Sequence, residues 1–154
     1  MNVIHTDNQD DMIWQSLRSL HNMGPSHIII SSISADKIGG NQNMLQLRAS
    51  SKLADNQYQT FRIDFPRLEN TFTGTGDSFS ALILAWFHKE NNLICACEKA
   101  ISIIHQILLK TIELSKPISI HNTCGNELCL VESKTIIESA ETIFHAILNE
   151  KCTS

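Results

Sequence analysis

The stretch Thr73-Gly74-Thr75-Gly76-Asp77-Ser78-Phe79-Ser80 constrains this chain more than any other. Two glycines, two residues apart, stand directly before a run that places Phe79, Leu82, Ile83, Trp86 and Phe87 at helical spacing. Glycine lets the backbone turn tightly and come close to a ligand. The first N–H groups of a helix have no intrahelical acceptor, and the helix dipole makes that end positive. A glycine turn that feeds a helix is therefore an anion hole suited to phosphate. Asp77 falls in the first turn. It can cap the helix, or act as a base for a hydroxyl that attacks phosphorus. Spacing alone leaves the plainer reading open, in which the loop merely caps a helix. The motif is not a Walker loop, having no Gly-Lys-Ser/Thr, nor the longer GxGxxG dinucleotide fingerprint.

Around this motif the chain reads as α/β. Residues 10–23 predict an amphipathic helix with Met12, Ile13, Leu17 and Leu20 on its apolar side, stopped by Gly24-Pro25. Residues 27–32 are a β-branched run that predicts a strand buried on both faces, as in a parallel sheet. Residues 36–43 read as a loop. Residues 44–49 and 57–64 alternate apolar and polar, predicting two half-exposed strands of a hairpin joined by the polar turn 50–56. Residues 78–89 predict a helix, Glu90-Asn91-Asn92 a break, and residues 93–114 a second long helix buried through Ala96, Ala100, Ile103, Ile104, Ile107 and Leu108. Pro117 lies beyond its end. Residues 128–131 suggest a short strand. Ser133 is expected to cap a last helix carrying Ile136, Ile137, Ala140, Ile143, Phe144 and Ile147.

Composition narrows the function classes. Of 154 residues, 42% are hydrophobic and 18% charged, so a packed core is expected rather than disorder. The net charge of −4 with no basic patch argues against nucleic acid and anionic membrane as partners. No apolar run approaches the ~20 residues of a membrane span. The start MNVIHTDNQDDM suits neither a secretory signal nor a transit peptide, so a cytoplasmic address is expected. Five cysteines at irregular spacing do not make a disulfide framework, and Cys95 and Cys97 point in different directions on a helix. His121, Cys124 and Cys129 lack the paired spacing of a closed zinc site, so no metal ligands are assigned. His88, His105 and His145 fall on predicted helices without a second ligand at i+4. Trp86 and Phe87 read as core, Asp10-Asp11 as a solvated helix start, and Lys99 and Lys110 as surface charges. No Ser-His-Asp arrangement can be inferred for Ser78 or Ser80.

Several separated motifs agree in order and spacing with one known family. The segment TFTGTGDSFSALILAWFHKENNLICACEKAISIIHQILLKTI resembles the C-terminal region of pyridoxal kinases, within the ribokinase-like superfamily. Leu20-His21-Asn22-Met23-Gly24-Pro25, followed by a strand ending in Ser31-Ser32, is similar too. So are Glu127-Leu128 and Val131-Glu132-Ser133-Lys134 in the tail. The resemblance runs from about Ile4 to the end. It implies the C-terminal part of a three-layer α/β/α sandwich, with residues 1–154 as a single partial domain that carries the ATP and phosphate site.

The same resemblance implies roles. Asp77 matches the catalytic base that deprotonates the 5′-hydroxymethyl group of pyridoxal. Gly74, Thr75 and Gly76 match the anion hole, with Thr75 also touching ATP phosphate. Ser31 and Ser32 match strand-end hydroxyls that approach ATP. Leu68, Glu69, Asn70 and Phe72 match the loop beside adenine and ribose. The implied reaction is ATP-dependent phosphorylation of pyridoxal, pyridoxine or pyridoxamine in vitamin B6 salvage. A divalent cation (Mg or Zn) and a monovalent cation would assist, and the family implies a homodimer. A kinase of this class with its own substrate pocket usually needs about twice this length. Most of the vitamin pocket and the metal-proximal Asn/Glu motif fall in the family's first half. A truncated, non-catalytic fragment that binds nucleotide or pairs with a subunit is therefore the alternative expectation. A hydroxymethylpyrimidine kinase fits the Ala-Trp-x-His-Lys helix and the tail less well.

Overall fold

A computed structural model of the chain describes residues 6–54, 57–115 and 127–149, with side chains from residue 10 onward. The chain forms two compact units. One is Met1–Leu68 with His145–Ser154, and the other is Glu69–Phe144.

The first unit is built on a four-stranded antiparallel sheet in the order β1 (His27–Ser34), β2 (Met44–Lys52), β3 (Tyr58–Pro66), β4 (Ala146–Leu148). The hairpin expected from residues 44–64 is present, with Leu47 opposite Ile63 and Ala49 opposite Phe61. These four side chains share one face and are fully buried, each worth about 1.5–3 kcal/mol where large. The other face carries Arg48, Ser50, Thr60, Arg62 and Asp64. The helix α1 (Thr6–His21) meets that polar face. His21 Nε2 lies 2.9 Å from Ser50 Oγ, its Nδ1 2.9 Å from the Pro25 carbonyl, and its ring stacks on Tyr58 at 4.9 Å.

Three expectations for this unit need correction. β1 was expected to be a doubly buried parallel strand, but it is an antiparallel edge strand whose isoleucines are only half-buried. An aliphatic run alone does not distinguish a central strand from an edge. β2 was expected to be half-exposed, but Leu47–Ser51 are all buried because α1 covers the polar residues as well. α1 was expected to bury Met12, Ile13, Leu17 and Leu20. Leu17 is buried as expected and Ile13 half-buried, but Met12 and Leu20 are exposed, and Trp14 and His21 are buried in their place. Polar partners on the sheet draw in Trp14 and His21, which a count of aliphatic residues overlooks.

The second unit is helical. α2 (Thr75–Glu90) packs against α3 (Leu93–Leu114). The break between them has a clear cause. Asn91 closes α2 in the left-handed region (φ 48°), and Asn92 Oδ1 caps α3 by accepting the Cys95 N–H at 3.1 Å. Ile103, Ile107 and Ala140 form a buried cluster on which Leu82, Trp86, Leu128, Ile136 and Ile137 pack. Phe79 is buried on α2, whereas Leu82, Ile83, Trp86 and Phe87 are half-buried.

The tail departs from expectation. Residues 128–131 form a turn region, not a strand, and α4 spans only Lys134–Ser139. Ala140 then turns left-handed (φ 48°) and is buried against the α3 cluster. Ser102 Oγ accepts the N–H groups of Ile143 and Phe144 at 3.0 and 3.1 Å, tying that segment to α3 as irregular chain. Tertiary contacts override the helical pattern here. His145 accordingly sits before β4 rather than on a helix. Lys99 and Lys110 are surface charges as expected, and each has a partner. Lys99 Nζ bonds Glu90 Oε1 at 2.6 Å and sits 4.0 Å from the Trp86 ring centroid, and Lys110 donates to the Glu132 carbonyl.

Candidate functional site

Gly74 is the N-cap of α2 and adopts φ 87°, ψ 1°, a left-handed conformation that favours glycine. Its carbonyl accepts the Ser78 N–H at 3.0 Å, the first intrahelical bond. The N–H groups of Thr75, Gly76 and Asp77 thus lie in the first turn, ahead of that bond, pointing out of the helix end. Apart from the adjoining residues and the helix's own backbone, no atom stands within 4 Å of where a Cβ on Gly74 or Gly76 would be, so the space beside the loop is open. Thr75 is half-buried, and Gly76 and Asp77 are exposed. Phe79, two residues on, is buried and anchors the first turn. Ser80 Oγ donates to the Gly76 carbonyl at 2.9 Å and stays on the helix. The result is an open, positively polarised helix end with one carboxylate in its first turn.

The loop is also tied upstream. Thr73 forms a parallel bridge with Glu127, which immediately precedes the turn at Leu128–Ser133. Local spacing gives no signal for this contact, because Glu127 is remote in sequence.

The remaining predicted residues lie as follows. Glu69 and Asn70 are exposed and Phe72 half-buried in the irregular segment that leads to Thr73, in the same unit as the loop. Leu68, Ser31 and Ser32 belong to the sheet unit. Ser31 and Ser32 are both exposed, and they occupy a β-bulge. Ile30 pairs with Arg48 and Ile33 with Gln46, so the two serines together face the single residue Leu47. Bulges re-aim side chains and recur beside functional sites.

At the far end of α2 from the loop, Glu90 is held below the ordinary carboxylate range by its bond to Lys99 and by that charge. Cys97 is pushed up to about 12, first by burial and then by Glu98. Of the zinc candidates, His121 and Cys124 lie outside the described residues. Cys129 is engaged with the Thr111 hydroxyl. Among the described residues no three of His, Cys, Asp and Glu converge as metal ligands. Asp10, expected to be solvated, pairs with Arg48.

A glycine-capped helix end with open N–H groups and a carboxylate in its first turn is an arrangement able to hold an anion such as phosphate. No family model matches the chain. Direct relatives do. The chain is 36% identical to the pyridoxal kinase of Ovis aries over 135 residues, covering 82% of this chain and 43% of that protein. It is 34% identical to the pyridoxal kinase of Bos taurus over 151 residues, covering 93% and 47%. Among solved structures, pyridoxal kinase from Leishmania donovani in complex with ADP and pyridoxine superposes with a TM-score of 0.72 at 19% identity, covering 84% of this chain and 41% of that one. The chain is a relative of the pyridoxal kinases and shares the corresponding part of their ribokinase-like fold. It spans about half the length of the curated relatives it matches.

Proposed function

We propose that this chain supplies the nucleotide and phosphoryl-transfer side of an ATP-dependent pyridoxal kinase site. The observation that carries the reading is the open N-terminus of α2 in a chain homologous to pyridoxal kinases. In this reading the N–H groups of Thr75, Gly76 and Asp77 face the transferring phosphoryl group, where negative charge must be held. The Asp77 carboxylate accepts the proton of the 5′-hydroxymethyl group as its oxygen attacks the γ-phosphorus of ATP, and ADP leaves. Thr75 contacts ATP phosphate. Ser31 and Ser32, in the bulge inside β1, are assigned to ATP by the family resemblance. Leu68, Glu69, Asn70 and Phe72 line the adenine and ribose. The Leishmania donovani structure with ADP and pyridoxine supports vitamin B6 alcohols as the substrate class.

A divalent cation belongs to this reading as the companion of ATP. The described residues do not themselves converge on a cation, so no step is assigned to one. A cytoplasmic address is part of this reading, and homodimer formation rests on the family resemblance.

A second reading, nucleotide binding without catalysis or pairing with a longer subunit, is favoured by the 43–47% span of the relatives. β1, an apolar strand at a sheet edge, is compatible with such pairing. Incubating the purified 154-residue chain with ATP and pyridoxal decides between them. Formation of pyridoxal 5′-phosphate that Asp77→Asn lowers by orders of magnitude, with ADP affinity nearly intact, supports the kinase reading. ADP binding with no product supports the second.

A further inference from the structure

We propose that Thr111, buried in the last turn of α3, is a positioning residue for the phosphate loop and acts on Gly74 through Cys129 and Glu127. The inference rests on the reading of Gly74–Asp77 as a phosphate site. The Thr111 hydroxyl has one proton, which it donates to the Ile107 carbonyl at 2.8 Å. It is then an acceptor for Cys129, whose N–H reaches it at 3.2 Å and whose Sγ lies 3.1 Å away. The thiol proton therefore points at Thr111, and Ser133 Oγ, 3.5 Å from the sulfur, is the donor on the far side. Thr111 and Ser133 are both buried. Leu128 packs beside this knot on Ile103 and Ile107. One residue further back, Glu127 bridges Thr73, and Thr73 is joined directly to Gly74.

The phosphate loop needs such a tether. Apart from the adjoining residues and the helix's own backbone, nothing packs within 4 Å of a Cβ position on Gly74 or Gly76, so neighbouring side chains do not hold the loop from beside those glycines. Downstream, α2 is held by its packing on α3, but that fixes the chain only from Thr75 onward. Upstream, the Thr73–Glu127 bridge sets where Gly74 begins its left-handed turn. The Cys129 N–H bond to Thr111 sets where Glu127 lies. A hydroxyl in the last turn of α3 is thus linked to the direction of the N–H groups at the start of α2.

The test compares Thr111→Val, which keeps the shape and removes the oxygen, with Thr111→Ser, which keeps the oxygen. Both are made in the 154-residue chain. In Thr111→Val the backbone order parameters of Gly74 and Thr75 should fall from the rigid range near about 0.85 toward about 0.6. Those of Ile103 and Ile107 should stay in place. The dissociation constant for ADP should rise about five- to tenfold, and Thr111→Ser should stay close to the parent in both readouts. An unchanged loop in Thr111→Val, or an equal loosening of the loop and of α3, overturns the proposal. If Thr111→Val does not fold, Thr111→Ala, smaller and also lacking the oxygen, carries the same expectations. A parent chain that binds no ADP defeats the phosphate reading. A parent that binds ADP as tightly as Thr111→Val does defeats the positioning role.

Discussion

Arg48, at the centre of β2, is ion-paired with Asp10 of α1, and its side chain is only 2% exposed against 38% for the aspartate. Its guanidinium also donates to Gln46 Oε1 at 2.7 and 3.0 Å and lies 4.8 Å from the Trp14 ring centroid. Trp14 Nε1 returns to the other oxygen of Asp10 at 3.2 Å. Directly across the sheet stands Arg62, paired with Asp64 at 3.3 Å. Two arginines opposite one another would repel; each is offset by its own carboxylate.

This arrangement makes the two partners unequal. Asp10→Ala strands a buried guanidinium and should cost about 2–4 kcal/mol, below the top of the range for buried pairs because Asp10 is partly solvated. Arg48→Met removes the charge and keeps much of the volume. It should cost less, and adding Asp10→Ala to it should cost little more. Urea denaturation of the three variants checks this. Additive losses would show that the two residues are not coupled.

Legibility in the sequence divided along the range of the contacts that decide each feature. α2, α3 and the break between them were readable because their causes are local: an apolar period, a glycine start, two asparagines at the turn. The hairpin β2–β3 was readable from its alternation. The buried face of α1 was not, since Trp14 and His21 are drawn in by Arg48 and Ser50 on β2 and Tyr58 on β3. The end of α4 was not, since Ser102 on α3 takes up the N–H groups of Ile143 and Phe144. At the site, Gly74–Asp77 could be picked out from two glycines and a helix. The bulge at Ser31–Ser32 depends on how β1 registers on β2, and the tie to Glu127 on a bridge between distant residues.

The two loop glycines should respond in opposite ways to alanine. Gly74→Ala forces a side chain into the left-handed region and should destabilise by about 1–2 kcal/mol. Gly76 lies inside α2 with open space where a Cβ would stand, so Gly76→Ala should stabilise the helix by about 0.5–1 kcal/mol. If the backbone there approaches a phosphate, the same substitution weakens ADP binding while it raises the melting temperature. A more stable Gly76→Ala chain with unchanged ADP affinity would remove Gly76 from the site.

Cys97 should be inert in the folded chain. Its thiol is buried in α3 and pushed up to about 12, so almost no thiolate exists near neutral pH. Iodoacetamide at pH 8 should leave the Cys97 peptide unmodified under native conditions and label it fully in denaturant, as read by mass spectrometry. Rapid native labelling would mean that α3 opens readily at this turn.

His105 should make the fold sensitive to mild acid. Burial holds its imidazole below the ordinary value of 6.5, and Phe144 meets the ring edge-on at 5.0 Å. A group whose folded value is depressed takes up a proton more readily when unfolded. In the window below 6.5 the unfolded chain therefore binds more protons, and stability rises with pH. The contribution is fully present above the ordinary value and is lost as the pH falls through it toward the folded value. Carboxylates add their own acid dependence, so the comparison is with His105→Gln, which cannot titrate. Denaturation midpoints measured from pH 5 to 8 should fall more steeply with acid in the parent than in the variant. Parallel curves would mean that His105 is as readily protonated in the folded chain as in the unfolded one.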